Sequence, residues 1–303
     1  MYDIIVIGSG VAGMTAALYA LRSNKKVLII EKESYGGQIA KSPKVENYPT
    51  KKSISGADLT DEIFDQISAL GVVFELENVE KIEKIEDKFV VTTDYNTYEA
   101  ISVIIANGVT ARKLKVENED KLLGNGVYYC AICDGPFFAG KDVTLVGDGN
   151  SAMQYALMLA DYCTKVTMVT MFDKFFGEEA LEKAIRANNK IEIIPNAVVS
   201  KLNGAEALEE VEFTCSDGSK FQLQTNALFV AIGQVPDNKK FENVVDLDKS
   251  GYIEANETCR TKTAGLFVAG DCRAKTVRQV ATAIGDGAVA GTEAVNYINT
   301  RNI

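Results

Sequence analysis

The residues best suited to chemistry in this 303-residue chain are Cys130 and Cys133, in the run CAICDG from Cys130 to Gly135. Two cysteines three apart can close a small, reversible disulfide, and their proximity lowers one thiol's pKa so that a thiolate is available to attack. Zinc ligation is the rival chemistry. A structural zinc site needs four ligands, yet the chain has no histidine and its other cysteines, Cys163, Cys215, Cys259 and Cys272, stand isolated. The pair therefore reads as redox-active. Six cysteines in so long a chain do not make a disulfide framework, so a reducing compartment, the cytoplasm, is expected. The lack of histidine also removes the usual general acid. Asp134, beside the pair, is the obvious proton donor, although a carboxylate there could simply cap the following turn.

A second chemistry is written in glycine. Residues 2–33 read as strand, glycine turn, helix and strand, with Gly8, Gly10 and Gly13 between a β-branched run and apolar residues at helical spacing. Such a turn lets backbone N–H groups approach a pyrophosphate at a helix N-terminus. Glu31, ending the second strand, is placed to hydrogen-bond an adenosine ribose. The pattern returns at Gly147, Gly149 and Ala152, so the chain holds two dinucleotide-type units. Gly8 and Glu31 are 23 positions apart, and the same count from Gly147 lands on Thr170, which carries no charge.

These elements need a scaffold, and composition bounds it: 47% hydrophobic and 24% charged residues suit a globular protein of two domains. A net charge of −10 argues against a nucleic-acid or anionic-membrane partner. The apolar runs are of strand length, short of the roughly 20 residues a membrane span needs, and the N-terminus lacks a signal-peptide pattern. The fold class expected is α/β, with two three-layer Rossmann-like domains. Because the last 60 or so residues (GLFVAGD, then a long helix) continue the first domain, the second is expected to be inserted into it. The bounds are 1–112 with 240–303, and 113–239.

The motifs GSGVAG, YGGQ at 35–38, ENYP at 46–49, CAICDG, VGDGNSA, VAIGQVP at 230–236 and GDCRAKTVRQVATAIGDG at 270–287 together resemble the low-molecular-weight thioredoxin reductases over essentially the whole chain. The resemblance implies FAD in the discontinuous domain, held at Gly8, Gly10, Gly13, Glu31, Gly37, Gln38, Asn47, Gly270, Asp271 and Gln279, and a homodimer. It also implies that the cysteine pair takes electrons from the flavin and passes them to thioredoxin's disulfide. Carried onto this chain, Cys133 lies nearest the flavin and Asp134 protonates the leaving thiolate.

The likeness fails at one place. NADPH-using members of the family put a histidine and two arginines, then a further arginine, where this chain has Thr170, Met171, Phe172 and Phe176, and paired glutamates where it has Gln154 and Tyr155. Asp148 adds a negative charge inside the second glycine turn. A 2′-phosphate would lose charge-assisted contacts of roughly 1.5–3 kcal/mol each. The chain thus looks most like the ferredoxin-dependent flavin thioredoxin reductases, and ferredoxin is the expected donor. The alternatives are NADPH held through Lys165, Lys174 or Arg186, and a flavin-linked redox sensor without turnover. An acidic ferredoxin needs a basic face, for which Arg260, Lys262, Arg273, Lys275 and Arg278, with the lysines of segment 41–52, are the candidates.

Overall fold

The computed structural model describes residues 1–42 and 45–301. Elements are numbered in chain order. The chain divides into two compact units, Met1–Thr110 with Val235–Ile303, and Ala111–Gln234. The joins fall at 110/111 and 234/235 rather than at 112/113 and 239/240. The reason is local: short strands β7 (Thr110–Ala111) and β16 (Gln234–Val235) pair with each other, and the division runs through that pair.

The first unit is built on β1 (Tyr2–Ile7), β2 (Val27–Glu31), β3 (Val73–Leu76), β4 (Val79–Ile85), β5 (Lys88–Thr93), β6 (Thr97–Ile105) and β17 (Leu266–Val268). Its strand order is β3-β2-β1-β6-β5-β4, and the long β6 shares its outer edge between antiparallel β5 and parallel β17. Helices α1 (Val11–Arg22), α2 (Gly37–Ala40), α3 (Gly56–Ser68) and α8 (Val280–Arg301) complete it. Alternation along β1 divides the core: Ile4 and Val6 pack against α1 and α8, while Ile5 and Ile7 join Phe89, Val103 and Phe241 on the other face. Each such side chain contributes about 1.5–3 kcal/mol by leaving water.

The second unit repeats the plan. Parallel strands β8 (Val127–Tyr128), β9 (Asp142–Val146), β10 (Lys165–Val169), β11 (Ile191–Ile194) and β15 (Leu228–Val230) stand in the order β11-β10-β9-β15-β8. Helices α4 (Glu119–Leu122), α5 (Ala131–Asp134), α6 (Asn150–Tyr162) and α7 (Glu179–Ala187) accompany them. The polar stretch after β11 forms its own antiparallel sheet, β12 (Ala197–Asn203), β13 (Glu210–Cys215) and β14 (Lys220–Gln224), whose Val211 and Phe213 cover the second face of the parallel sheet. Both units are therefore α/β and three-layered, as the glycine-turn repeats imply.

Glycines set how closely the layers approach. A Cβ on Gly13 would sit 2.0 Å from the Gly8 carbonyl oxygen, and one on Gly287 of α8 would sit 2.3 Å from the Ala12 carbonyl oxygen and 2.9 Å from Thr15 Cβ. Overpacking of this kind costs about 1–3 kcal/mol. We expect Gly287→Ala to lower the unfolding free energy by that much, read by circular dichroism as a lower urea midpoint at an unchanged slope; an unchanged midpoint would show that α1 and α8 are not closely packed there.

Candidate functional site

Strand β8 delivers the chain to the cysteine pair. Cys130 is the N-cap of α5, and its Sγ accepts the Cys133 N–H at 3.2 Å. The two cysteines form a disulfide, with Cα atoms 5.3 Å apart. Cys133 is exposed and Cys130 half-buried. Gly135 follows because a Cβ there would meet Tyr162 Oη at 2.3 Å and Leu159 Cδ2 at 2.9 Å. Asp134 does not cap the 3-10 turn Gly135–Phe138 that follows it, and burial pushes its carboxyl above the ordinary range. Its geometry thus suits a proton carrier better than a cap. On the other side of the pair, Tyr129 donates to Glu119, whose carboxylate also accepts from Leu114 N at 3.0 Å and Lys115 N at 2.7 Å. This tether, which secures the residue before Cys130, is not visible in the spacing of the motif.

The first glycine turn gathers most of the residues expected to hold FAD. Gly8 has φ +99°, and its missing Cβ leaves room for Ala106 O at 2.4 Å. Gly10 caps α1 without a side-chain bond, and a Cβ there would meet nothing within 4 Å. The next segment returns to this turn: Gly36 N donates to Ser9 O at 2.9 Å, and Gly37 lies against Gly10. Gly270 packs on Ala12, while Asn47 Nδ2 donates to Gln279 Oε1 at 3.2 Å across 232 positions. Gln38 Nε2 reaches Val109 O at 3.4 Å. Asp271 is half-exposed as a side chain, but its Oδ1 is buried without a hydrogen-bond partner among the described residues. Glu31 has partners that its spacing does not show. Its Oε2 accepts Ser9 N and Oγ at 2.8 and 2.9 Å, and its Oε1 accepts Lys32 N and Glu33 N. A carboxylate has about four acceptor sites, so a ribose would compete with these bonds.

The second turn has the same frame and a different lining. Gly147 has φ +140° and Gly149 caps α6, as Gly8 and Gly10 do for α1. The returning segment bonds in the same way, Phe176 N donating to Asp148 O at 2.8 Å beside Gly149. Thr170 is buried, and its hydroxyl donates to Phe172 O at 2.6 Å. Met171, Phe172 and Phe176 are exposed, the two rings meeting edge to face at 5.3 Å. The substitute cations are engaged: Lys165 with Glu192 at 2.6 Å, Arg186 with Glu182 at 2.9 Å, and Lys174 over the Phe176 ring. Burial also raises the Asp148 carboxyl. Thr170, Met171, Phe172 and Phe176 carry no charge that could pair with a 2′-phosphate.

The basic face expected for ferredoxin is corrected by the structure. Arg273 and Lys275 have side chains only 15% and 8% exposed, both held by Asp286 of α8. Arg260 pairs with Glu293, Lys262 with Asp246 and Lys51 with Glu62. Arg278 lies over the Tyr252 ring at 3.9 Å, and Lys44 falls outside the described residues. Local acids thus engage Lys51, Arg260, Lys262, Arg273 and Lys275, which a count of basic residues along the chain does not register.

No cluster of metal-ligating side chains and no helix long and apolar enough to cross a membrane occur among the described residues. Two glycine-turn units and a reversible cysteine pair are the parts of a flavin-linked disulfide oxidoreductase. Residues 2–287 match the pyridine nucleotide-disulphide oxidoreductases, and the chain belongs to that family. It is 37% identical over 301 residues to the thioredoxin reductase of Bacillus subtilis, covering 98% of this chain and 95% of that one. The crystal structure of Lactococcus lactis thioredoxin reductase in its FR conformation superposes with a TM-score of 0.96 at 33% identity, covering 99% of this chain and 100% of that one. A ferredoxin-flavin thioredoxin reductase from Clostridium acetobutylicum is similar at TM-score 0.55 and 30% identity, over 99% and 98% of the two chains. Thioredoxin reductases are FAD-binding flavoproteins. The open space at Gly10, the uncapped N-terminus of α1 and the buried lone Oδ1 of Asp271 fit that cofactor.

Cys163, Cys259 and Cys272 are buried, and burial raises their thiols, the latter two to about 12. Oxidised protein should therefore show four thiols to Ellman's reagent when unfolded, and after reduction the two of Cys130 and Cys133 in addition. In the native oxidised form only Cys215 should react quickly; rapid labelling of the other three would contradict their burial.

Proposed function

We propose that this protein reduces the disulfide of thioredoxin through FAD and the Cys130–Cys133 pair, and that its electrons come from reduced ferredoxin rather than from a nicotinamide nucleotide. The observation behind this choice of donor is the lining of the second glycine turn. Thr170 turns its hydroxyl inward, and apolar Met171, Phe172 and Phe176 stand where an anionic ribose phosphate needs donors.

Bound FAD can take up electrons singly and release them as a pair. The driving force suffices: plant-type ferredoxins lie near −400 mV and thioredoxin near −270 mV, a gap of about 130 mV or roughly 6 kcal/mol for two electrons. In the disulfide form the Cys133 N–H reaches Cys130 Sγ, and the same contact kept after reduction would favour charge on Cys130. Cys130 is thus the attacking thiolate. It bonds to one sulfur of the thioredoxin disulfide and expels the other as a thiolate, which takes a proton from Asp134. Cys133, passing its proton to Asp134, then attacks Cys130 and re-forms the enzyme disulfide, and the second thioredoxin sulfur takes that proton from Asp134 as it leaves, completing the dithiol. Burial of Asp134 suits the role, since a raised carboxyl keeps a proton at higher pH than an ordinary aspartate.

A second reading, an NADPH-dependent reductase with a rebuilt pocket, is favoured by the family's pyridine nucleotide chemistry and by the identity to the Bacillus subtilis thioredoxin reductase. Anaerobic titration of the visible flavin absorbance separates the two. Bleaching by reduced ferredoxin but not by NADPH or NADH supports the first, and bleaching by stoichiometric NADPH removes it. Repeated reduction of thioredoxin beyond one equivalent excludes a sensor that reacts once. Met171→Arg with Phe172→Arg should tighten NADPH binding, each charge-assisted contact contributing about 1.5–3 kcal/mol, or more than about tenfold. Asp134→Asn should lower kcat for thioredoxin by about a hundredfold or more with KM little changed; a raised KM with kcat unchanged would mean that Asp134 binds rather than protonates.

A further inference from the structure

A set of buried charges lies beside the turn Gly270–Cys272, where it meets the first two turns of α8. Lys275 Nζ stands between two carboxylates, 3.4 Å from Asp271 Oδ1 and 3.1 Å from Asp286 Oδ2, with Thr282 Oγ1 at 3.5 Å. Asp286 does not depend on Lys275. Its Oδ1 accepts from the Arg273 guanidinium at 2.8 Å, and its Oδ2 accepts from Arg273 Nε at 3.2 Å and Gly270 N at 3.1 Å. Asp271 is situated otherwise. Its buried Oδ1 makes no hydrogen bond among the described residues, and Lys275 is the cation ion-paired with it there.

An ionised carboxylate accepts hydrogen bonds and donates none. Facing a bound FAD, Asp271 would therefore hold a hydroxyl of the cofactor and repel its pyrophosphate. We propose that Lys275 is a positioning residue for FAD, its ammonium keeping the carboxylate of Asp271 ionised and so able to accept a cofactor hydroxyl. The inference rests on the assignment of Asp271 to the FAD cradle.

The surroundings of Asp271 leave this task to Lys275. Burial pushes the carboxyl up, Lys275 opposes that most strongly, Arg278 opposes it less, and Asp286 adds to the rise. Arg278 is stacked on Tyr252, and its Nε donates to the Asp271 backbone carbonyl at 3.3 Å, not to the carboxylate. Arg273 is held by Asp286, and the neighbouring Cys272 thiol, pushed up to about 12, is neutral at working pH. The first turn of α1, which also packs on this turn, carries no charged residue.

The sign of the effect follows. A carboxylate required in its ionised form supports binding above its pKa and loses that support as pH falls through it. Removing an opposite charge within about 4–6 Å raises a carboxyl by about 1–3 units. Lys275→Met should therefore release FAD at a pH about 1–3 units higher than the wild type does, with Kd rising about tenfold per unit below that point.

The test is equilibrium binding of FAD to the deflavinated full chain, read by flavin fluorescence quenching from alkaline to mildly acidic pH. It compares wild type, K275M, K275R, D271N and D271N/K275M. The expected result is an upward shift of the pH profile in K275M, its restoration in K275R, and weak but pH-flat binding in D271N/K275M. A K275M profile that coincides with the wild type overturns the proposal, as does a double variant that keeps the pH dependence of K275M. A D271N chain that binds FAD as tightly as wild type instead overturns the cradle assignment, and the role of Lys275 with it.

Discussion

Everything in the first unit depends on how closely one helix can approach its neighbours. Helix α1 meets the β1 turn at Gly13 and α8 at Gly287 and Gly291, and at each point a single methyl group would collide with a backbone oxygen. Between these contacts lie small side chains, Ala12, Ala16, Ala17 and Ala20 on α1 and Ala290 and Ala294 on α8, all buried. The fit holds the N-terminus of α1 at the carboxyl ends of the parallel strands, where its unpaired N–H groups face outward. From that one placement come the positions of Ser9, Glu31, Gly36 and Gly270, each joined to the turn or to the start of the helix.

The two units show how a common frame can be given different chemistry. In both, the segment after the second strand returns to bond the glycine turn, Gly36 to Ser9 in one and Phe176 to Asp148 in the other. The return in the first unit is a pair of glycines that leaves the helix N-terminus open to an anion. In the second it carries an exposed aromatic side chain, and the turn itself contains a carboxylate. Backbone geometry is preserved while the side chains around the turn differ.

The parts most legible in the sequence were those whose meaning is local. Gly8, Gly10, Gly13 and the CAICDG run are tied to a turn or a short helix by adjacent residues, so spacing alone identifies them. Gly147, Gly149 and Thr170 were legible for the same reason, as repeats of a known count. Residues whose partners are distant were misread. Arg273 and Lys275 looked like free surface charge because Asp286, 13 and 11 positions on, is joined to them only when α8 folds back. The bond of Glu31 to Ser9 was not legible either, because it spans 22 positions. The separate β12–β14 sheet was hidden too, since alternation marks a strand but not the sheet that it enters.

The insertion of one unit into the other also orders events in time. Lys25, just past α1, donates to Asn299 of α8, 274 positions away, and the α1–α8 packing joins the two ends of the chain. The residues of the second unit are contiguous, so they can collapse as soon as they emerge. At a synthesis rate of about 5–20 residues per second, α1 waits on the order of tens of seconds for its partner helix to be made. During that interval its alanine face and the part of β6 that β17 will pair are exposed. Until α8 is made that face has no partner, and the finished protein buries it almost completely.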